Sequence, residues 1–144
     1  MAKYKVVVTD DRYNQYEQEK KVLSSIDAEL IVKNCSTPEE VAEACKDADG
    51  VLCNLAPMPA EVIDKLEKCK IIARYGVGYD NVDVKACTQK GIWVSNVTDY
   101  CAEEVSDHAL ALIMACARKV ARSDRLVRNG EWNIGSKDPI YRIA

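Results

Sequence analysis

The stretch GVLCNLAPMPAEVIDKLEKCKIIAR, residues 50–74, decides the fold because it contains a strand, a helix and a second strand in that order. Gly50 to Leu55 and Lys70 to Arg74 are short apolar runs typical of buried strands. Between them, Pro59 to Lys68 carries its apolar side chains at helical spacing. Two strands joined by a crossover helix run parallel to each other. The stretch therefore predicts one unit of an α/β protein.

The same alternation continues on both sides of this stretch. Strands are predicted at Tyr4 to Thr9, Ala28 to Val32 and Ile92 to Ser95, and helices after Asp10-Asp11, from Ser36-Thr37-Pro38-Glu39-Glu40 onward, and in a short segment that ends at Gly91. Alternating elements of these lengths imply a parallel sheet that is covered on both faces. We therefore expect a flavodoxin-like, doubly wound α/β domain over residues 1–97, with five parallel strands in the order 2-1-3-4-5.

Residues 101–129 follow a different pattern, which predicts one long or once-broken helix that ends at Asn129-Gly130. Within it, the run HALALIMACA is apolar on every side after its histidine. A helix that is apolar all round is normally buried all round, and a five-stranded domain covers only one flank of a terminal helix. We therefore expect residues 101–129 to contact another domain or a second copy of the chain, as in a homo-oligomer.

The composition is that of one soluble globular domain. Of the 144 residues, 48% are hydrophobic and 30% are charged, a balance that excludes disordered and fibrous proteins. The longest apolar run, Ala109 to Ala117, is too short to cross a bilayer, and the N-terminus shows no targeting segment. We expect no membrane partner. The net charge of −3 also argues against nucleic acid, so the basic residues after Ala117 are interpreted as a solvated or partner-facing helix side.

The cysteines and the single histidine argue against a metal site. Seven cysteines are scattered along the chain without a CxxC pair, which favours reduced thiols in the core of a cytoplasmic protein. A histidine-based zinc site needs several clustered nitrogen or sulfur ligands, and His108 is the one histidine of the sequence. No bound metal is therefore expected.

Two familiar ligand sites of this fold class are excluded by the residues at the strand ends, where ligands bind in open α/β sheets. A phosphoacceptor receiver domain has an acidic pair after strand one, an aspartate after strand three and a lysine after strand five. Asp10-Asp11 match the pair, but Asn54 and Asn96 occupy the other two positions, so this chemistry is excluded. A flavodoxin needs a phosphate-binding loop after strand one, and the acidic segment TDDRYNQ, residues 9–15, would repel phosphate.

The loop after the fourth strand, RYGVGYDNVD at residues 74–83, is the best candidate site. Gly76 and Gly78 allow positive φ angles, which turn successive amides into one concavity that can hold a carboxylate. Asn81 stands where a dinucleotide-binding loop has its third glycine, so the loop is not a nucleotide fingerprint. The glycines alone also fit a tight turn before a short helix capped by Asn81 or Asp83, and they leave this alternative open.

Three motifs together resemble a known family. The runs RYGVGYDNVD (74–83), KGIWVSNV (90–97) and YCAEEVSDHALALIMACAR (100–118) are similar to the N-terminal part of the D-isomer-specific 2-hydroxyacid dehydrogenases. The resemblance implies that residues 1–97 are the substrate-binding domain. The resemblance further implies that residues 98–144 are the helix that crosses to a separate NAD-binding domain and the start of the linker to it, so that the chain is expected to be truncated before that domain.

The resemblance also implies roles for individual residues, in contacts with a small 2-hydroxy or 2-keto acid and with the cofactor. The implied contacts are the backbone amides of Val77 and Gly78 for the acid's carboxylate, Asn54, Leu55, Ala56 and Tyr100 for the rest of the substrate, and Val77 and Val105 for the nicotinamide cofactor.

The residues that perform catalysis in the family are expected outside this sequence. The resemblance implies that the arginine, the histidine and the carboxylate of the mechanism, and most contacts to NAD or NADP, belong to the missing domain. Asp107 and His108 do not form an acid/base pair, because neighbouring helix positions point about 100° apart. We therefore expect the 144-residue chain to be inactive alone. The alternative is a stand-alone carboxylate-binding or interaction module that self-associates through residues 101–129.

Overall fold

The five predicted strands form one parallel sheet. A computed structural model describes residues 2–132, 140 and 142. The strands are β1 (Tyr4–Val8), β2 (Ala28–Val32), β3 (Gly50–Cys53), β4 (Ile71–Arg74) and β5 (Trp93–Ser95). Their order is β2-β1-β3-β4-β5, and every neighbouring pair is parallel. This confirms the predicted doubly wound α/β fold. All five strands lie in the first of two compact units, Met1–Thr98 and Asp99–Ala144.

Four helices connect these strands, and the second begins where the sequence predicts it. The helices are α1 (Glu17–Ser24), α2 (Pro38–Cys45), α3 (Ala60–Ile63) and α4 (Val84–Lys90). The side chain of Thr37 accepts a hydrogen bond from the Glu40 amide, the Glu40 carboxylate accepts one from the Thr37 amide, and Pro38 opens the helix. This capping box satisfies amides that the helix itself leaves free.

Helix α3 is shorter than predicted. The sequence predicts a helix from Pro59 to Lys68, but α3 ends at Ile63. The amide of Leu66 bonds to the Ile63 carbonyl, three residues back, which tightens the chain into a turn. The Glu67 amide then bonds to the carbonyl of Lys46 at the end of α2, 2.8 Å away. Leu66 still reaches the core, so its apolar signal is correct although its helical assignment is wrong.

The core of Met1–Thr98 lies on the sheet face that α2, α3 and α4 cover. Ile72 of β4 points into this core and is fully buried. Its neighbour Ile71 points to the opposite face, because side chains alternate along a strand, and it is 45% exposed. Trp93, which pairs with Ile71 across β4 and β5, is 78% exposed. The expected cover on both faces is therefore incomplete around these two side chains.

The second unit contains two helices, α5 (Ala102–Ala117) and α6 (Val120–Arg128). The chain breaks between them at Lys119, whose φ of 53° is left-handed and stops a regular helix. This confirms the once-broken form of the predicted 101–129 helix. No residue of either helix is buried, and Leu110, Leu112 and Ile113 each expose more than half of their surface. No described helix is both long enough and apolar enough to cross a membrane.

The cysteines follow the predicted core pattern with two exceptions. All seven thiols are free, and five of them are buried: Cys35, Cys45, Cys53, Cys69 and Cys87. Cys101 is partly buried and Cys116 is exposed, so the prediction of a core position is wrong for Cys116. These two lie at the start and near the end of the α5 segment.

Candidate functional site

The glycine loop after β4 depends on one of its two glycines. Gly76 has a φ of 140°, which side chains rarely permit, and a Cβ at this position would overlap the Arg74 guanidinium. Gly78 has no positive φ and has open space around it apart from the Asp80 carboxylate. The expectation that both glycines adopt positive φ angles is therefore wrong for Gly78. Gly76 alone provides the reversal of the chain.

The two residues that follow β5 fix the glycine loop by donating hydrogen bonds to carbonyls of that loop. The Val97 amide donates to the Gly76 carbonyl over 3.1 Å, and Nδ2 of Asn96 donates to the Val77 carbonyl over 2.7 Å. Within the described part of the chain, the amides of Val77 and Gly78 donate no hydrogen bond. Both residues are exposed. The loop thus presents two consecutive unpaired N–H groups on a fixed backbone, which is a suitable geometry for binding an anion.

The loop after β3 is held by a buried carboxylate from the end of β1. Asp10 is only 6% exposed. Its Oδ1 accepts hydrogen bonds from the Asn54 amide over 2.9 Å and from the Thr9 hydroxyl over 2.8 Å, and its Oδ2 accepts from the Leu55 amide over 2.7 Å. Three donors therefore satisfy the carboxylate and orient the loop that follows β3.

Two side chains from the glycine-loop segment bind the same β3 loop. Nε of Arg74 donates to the Asn54 carbonyl over 3.1 Å. Nδ2 of Asn81 donates to the carbonyls of Asn54 and Ala56, over 3.3 and 2.9 Å. Asp83, rather than Asn81, caps α4 by accepting the Ala86 amide. The turn before a capped helix is therefore present, with Asp83 as the cap, and the same segment also clamps the neighbouring β3 loop.

Tyr13 and Tyr75 form an aromatic wall on the β1 side of the site. The rings of Tyr13 and Tyr75 meet edge to face with centroids 5.4 Å apart. Nδ2 of Asn54 donates to the Tyr13 hydroxyl oxygen over 3.5 Å, and the Tyr75 hydroxyl donates to Glu19 over 3.0 Å. Burial, followed by the Glu19 carboxylate, raises the pKa of Tyr75 well above its usual value. The Tyr75 hydroxyl therefore stays protonated at neutral pH.

The structure brings five of the seven predicted site residues to one edge of the sheet. Asn54 is half-buried, Leu55 and Val77 are exposed, and Gly78 is exposed beside Val77. Ala56 is different, because its side chain is buried and its carbonyl is bound by Asn81.

The two remaining predicted residues, Tyr100 and Val105, lie in the second compact unit, Asp99–Ala144. Tyr100 precedes α5 and Val105 belongs to it, and both are exposed.

Sequence reasoning missed the residues that hold the site together. The sequence marks Asp10 as one of two acidic residues after strand one, Asn96 as a residue in place of a receiver lysine, and Asn81 as a cap or as the replacement of a third glycine. All three are polar residues that directly follow a strand or its loop, at the edge where ligands bind in such sheets. That position is a usable signal, but the hydrogen-bond partners of these side chains are up to 45 residues away.

The residues at this edge fit a small carboxylate better than a dinucleotide or a metal ion. Two unpaired amides match one carboxylate, whereas a pyrophosphate site needs a third glycine where the engaged Asn81 stands. In the residues that the structure describes, no three acidic, cysteine or histidine side chains form a group able to hold a metal ion.

The sequence of this chain is similar to those of known proteins. The family described as "D-isomer specific 2-hydroxyacid dehydrogenase, catalytic domain" matches residues 6–138. A glyoxylate reductase of Korarchaeum cryptofilum is 44% identical over 95 residues, which are 65% of this chain and 29% of that protein. A D-3-phosphoglycerate dehydrogenase of Methanocaldococcus jannaschii is 37% identical over 130 residues, 90% of this chain and 24% of that protein.

Solved structures show the same similarity. The crystal structure of NAD+-bound 3-phosphoglycerate dehydrogenase from Entamoeba histolytica matches with a TM-score of 0.60 and 36% identity, over 66% of this chain and 33% of that one. The present chain spans less than a third of the length of the two curated relatives.

Proposed function

This chain belongs to the D-isomer-specific 2-hydroxyacid dehydrogenases, and we propose that it is the substrate-binding part of such an enzyme. The complete protein transfers a hydride reversibly between a nicotinamide cofactor and a small 2-hydroxy or 2-keto acid. The observation that carries this proposal is the pair of unpaired amides at Val77 and Gly78, on a loop that both neighbouring strands hold in place.

The amides of Val77 and Gly78 bind the carboxylate of the acid in this proposal. A carboxylate oxygen accepts one hydrogen bond from each N–H, and bonds of this kind to an anion are stronger than neutral ones. The Arg74 guanidinium lies against Gly76 and adds positive charge next to the carboxylate. Asn54 and Leu55 face the substrate's substituent in this proposal, and Ala56 contributes through its backbone.

The nicotinamide cofactor, NAD or NADP, is bound mainly by parts of the protein outside the described residues. The glycine loop does not fit a pyrophosphate, so this chain contributes only apolar contacts, at Val77 and Val105. When bound, the cofactor supplies or accepts the hydride. The arginine, histidine and carboxylate of catalysis also come from outside this chain, and the 144 residues alone should be inactive. NAD-dependent turnover of glyoxylate by the 144-residue chain would contradict this assignment.

Titration of the ¹⁵N-labelled chain with glyoxylate, followed by NMR, tests the carboxylate site. We expect the amide resonances of Val77 and Gly78 to show the largest shifts, because these two N–H groups gain a hydrogen bond. Gly76→Ala should weaken the apparent affinity about tenfold or more, since the added Cβ strains the backbone and displaces Arg74.

Gly91→Ala is the matched control for this titration. Gly91 also has a positive φ, 72°, but it ends α4 and has nothing within 4 Å of its missing Cβ. This variant also places a side chain at a positive φ, but without a steric clash and far from the glycine loop, and it should bind glyoxylate like the unmodified chain. Shifts that spread over the surface without favouring Val77 and Gly78 would overturn the carboxylate site.

We further propose that α5 pairs two copies of the chain, because its apolar residues are exposed. Leu110, Leu112 and Ile113 are 53–60% exposed, and contiguous apolar surface of this kind on a folded protein is typical of an interface. Leu112→Glu should shift the chain from dimer to monomer in size-exclusion chromatography with light scattering. Val22→Glu, on exposed α1, is the control and should leave the mass unchanged. An unchanged mass for Leu112→Glu would remove α5 as the interface.

The alternative, a stand-alone carboxylate-binding or interaction module, relies on the same carboxylate site and on the same exposed helix α5. It predicts that the 144-residue chain is the complete product in its source cells. A longer product from the same gene would exclude this alternative.

A further inference from the structure

Tyr13 is a half-exposed aromatic residue whose position the proposed carboxylate site does not explain. Its ring packs on Tyr75, the residue immediately before Gly76, and its hydroxyl lies 3.5 Å from Nδ2 of Asn54. The Asn54 backbone is itself held by Asp10 and Arg74. Tyr13 therefore belongs to a fixed wall between the β1 loop and the β3 loop, although 51% of its surface is open to solvent.

The Tyr13 hydroxyl and the Asn54 side-chain amide are available to a ligand. The contact between Tyr13 and Asn54 is long at 3.5 Å and therefore weak, and the Tyr13 hydroxyl can still donate a hydrogen bond while its oxygen accepts one. The Asn54 amide has a second N–H and a carbonyl oxygen. Together they offer both donors and acceptors to an uncharged polar group.

Charges around the wall are mostly negative. The Tyr75 hydroxyl is bonded to Glu19, the Tyr16 hydroxyl is bonded to Asp11, and the Asp80 carboxylate lies beside Gly78. The groove next to Tyr13 is lined by Asn14, Gln15, Glu17, Gln18 and Glu19. The Arg74 guanidinium, which lies beside Gly76, is the positive charge placed against these carboxylates. One substrate carboxylate is matched by the loop amides, but a second negative charge near Tyr13 meets repulsion.

We propose that Tyr13 is a specificity-determining residue of this site. With Asn54, it accepts a 2-keto acid whose third carbon carries a hydroxyl, and the surrounding carboxylates exclude a substrate with a phosphate or second carboxylate there. The inference rests on the proposed function, because it assumes that the acid's carboxylate binds at Val77 and Gly78.

Three related acids test the proposal by the same NMR titration of the 144-residue chain. Pyruvate, hydroxypyruvate and phosphohydroxypyruvate differ only at the third carbon, which carries hydrogen, a hydroxyl or a phosphate. Hydroxypyruvate should bind most tightly and phosphohydroxypyruvate most weakly. Tyr13→Phe keeps the ring packing and removes the hydroxyl, so it should weaken hydroxypyruvate about fivefold and leave pyruvate unchanged.

Tyr4→Phe is the matched control, because Tyr4 is exposed at the opposite end of β1. It should not change any of the three affinities. Asn54→Ala removes the partner of Tyr13 and should reproduce the effect of Tyr13→Phe on hydroxypyruvate. Tighter binding of phosphohydroxypyruvate than of hydroxypyruvate would overturn the proposal, as would an unchanged ratio of hydroxypyruvate to pyruvate affinity in Tyr13→Phe.

A different result would disprove the proposed carboxylate site. If none of the three acids shifts the amides of Val77 and Gly78, the proposed function itself fails, and the role of Tyr13 fails with it. If the amides shift but the Tyr13→Phe ratio does not, only the specificity role is lost.

Discussion

Replacing Asp10 with alanine is expected to lower the free energy of unfolding by about 3 kcal/mol, because three donors lose one buried, charged acceptor. The amides of Asn54 and Leu55 then have no partner in the loop after β3, and the Thr9 hydroxyl keeps only its 3.4 Å contact to the Leu52 carbonyl. Urea unfolding followed by circular dichroism at neutral pH measures the loss.

Two other substitutions calibrate this result. Asp10→Asn keeps the shape and one acceptor oxygen, and it should cost about half as much because one amide still finds a partner. Asp64→Ala removes an exposed carboxylate and should change the free energy of unfolding by less than about 0.5 kcal/mol. If Asp10→Ala is as mild as Asp64→Ala, Asp10 does not hold the β3 loop.

Raising the pH from 8 to 10 is expected to lower the free energy of unfolding by about 4 kcal/mol, mainly through the three buried thiols whose pKa values are raised most. Burial raises the pKa of Cys45 and Cys53 from 9.0 to about 12, and that of Cys69 to about 11. Above pH 9 the unfolded chain loses these protons while the folded chain keeps them. The stabilisation is thus complete below pH 9 and is lost as the pH rises towards 11 and 12.

Unfolding titrations at several pH values under anaerobic, reducing conditions measure this decline. Cys45→Ala should be less stable at pH 8 but should lose about a third less stability up to pH 10, because one of three thiols no longer titrates. Cys116→Ser is the control, since Cys116 is exposed and its substitution should leave the pH profile unchanged. A flat profile between pH 8 and 10 would show that the thiols are not protected by burial.

Much of the fold can be predicted from the sequence because its signals are local. The apolar runs that form β1 to β5 and the Thr37-Pro38-Glu40 start of α2 act within a few residues. Their alternation, combined with the requirement for crossover helices between parallel strands, restricts the strand order to few choices. The break at Lys119 is less local, since nothing in the residue type requires its left-handed φ.

The position of the candidate site could be predicted from the sequence, but the contacts that hold the site together could not. The GVG motif identifies the loop, yet only Gly76 has the positive φ that the motif suggests for both glycines. The side chain of Asn96 bonds to the glycine loop. The side chains of Asp10 and Asn81 bond to the neighbouring loop after β3. A polar side chain that follows the end of a strand carries no mark of which distant carbonyl or amide it will bind.

The sequence by itself indicated the family, the alternation of strands and helices, and the loop that we propose as the anion site, because all three depend on short motifs. Tertiary structure alone decided that α3 stops at Ile63, where Glu67 turns to bond Lys46, and that Asp10 is a buried support for the β3 loop. It also placed Tyr13 against Asn54, 41 residues away. These contacts join distant parts of the chain, so they exist only after the sheet has brought its strand ends to one edge.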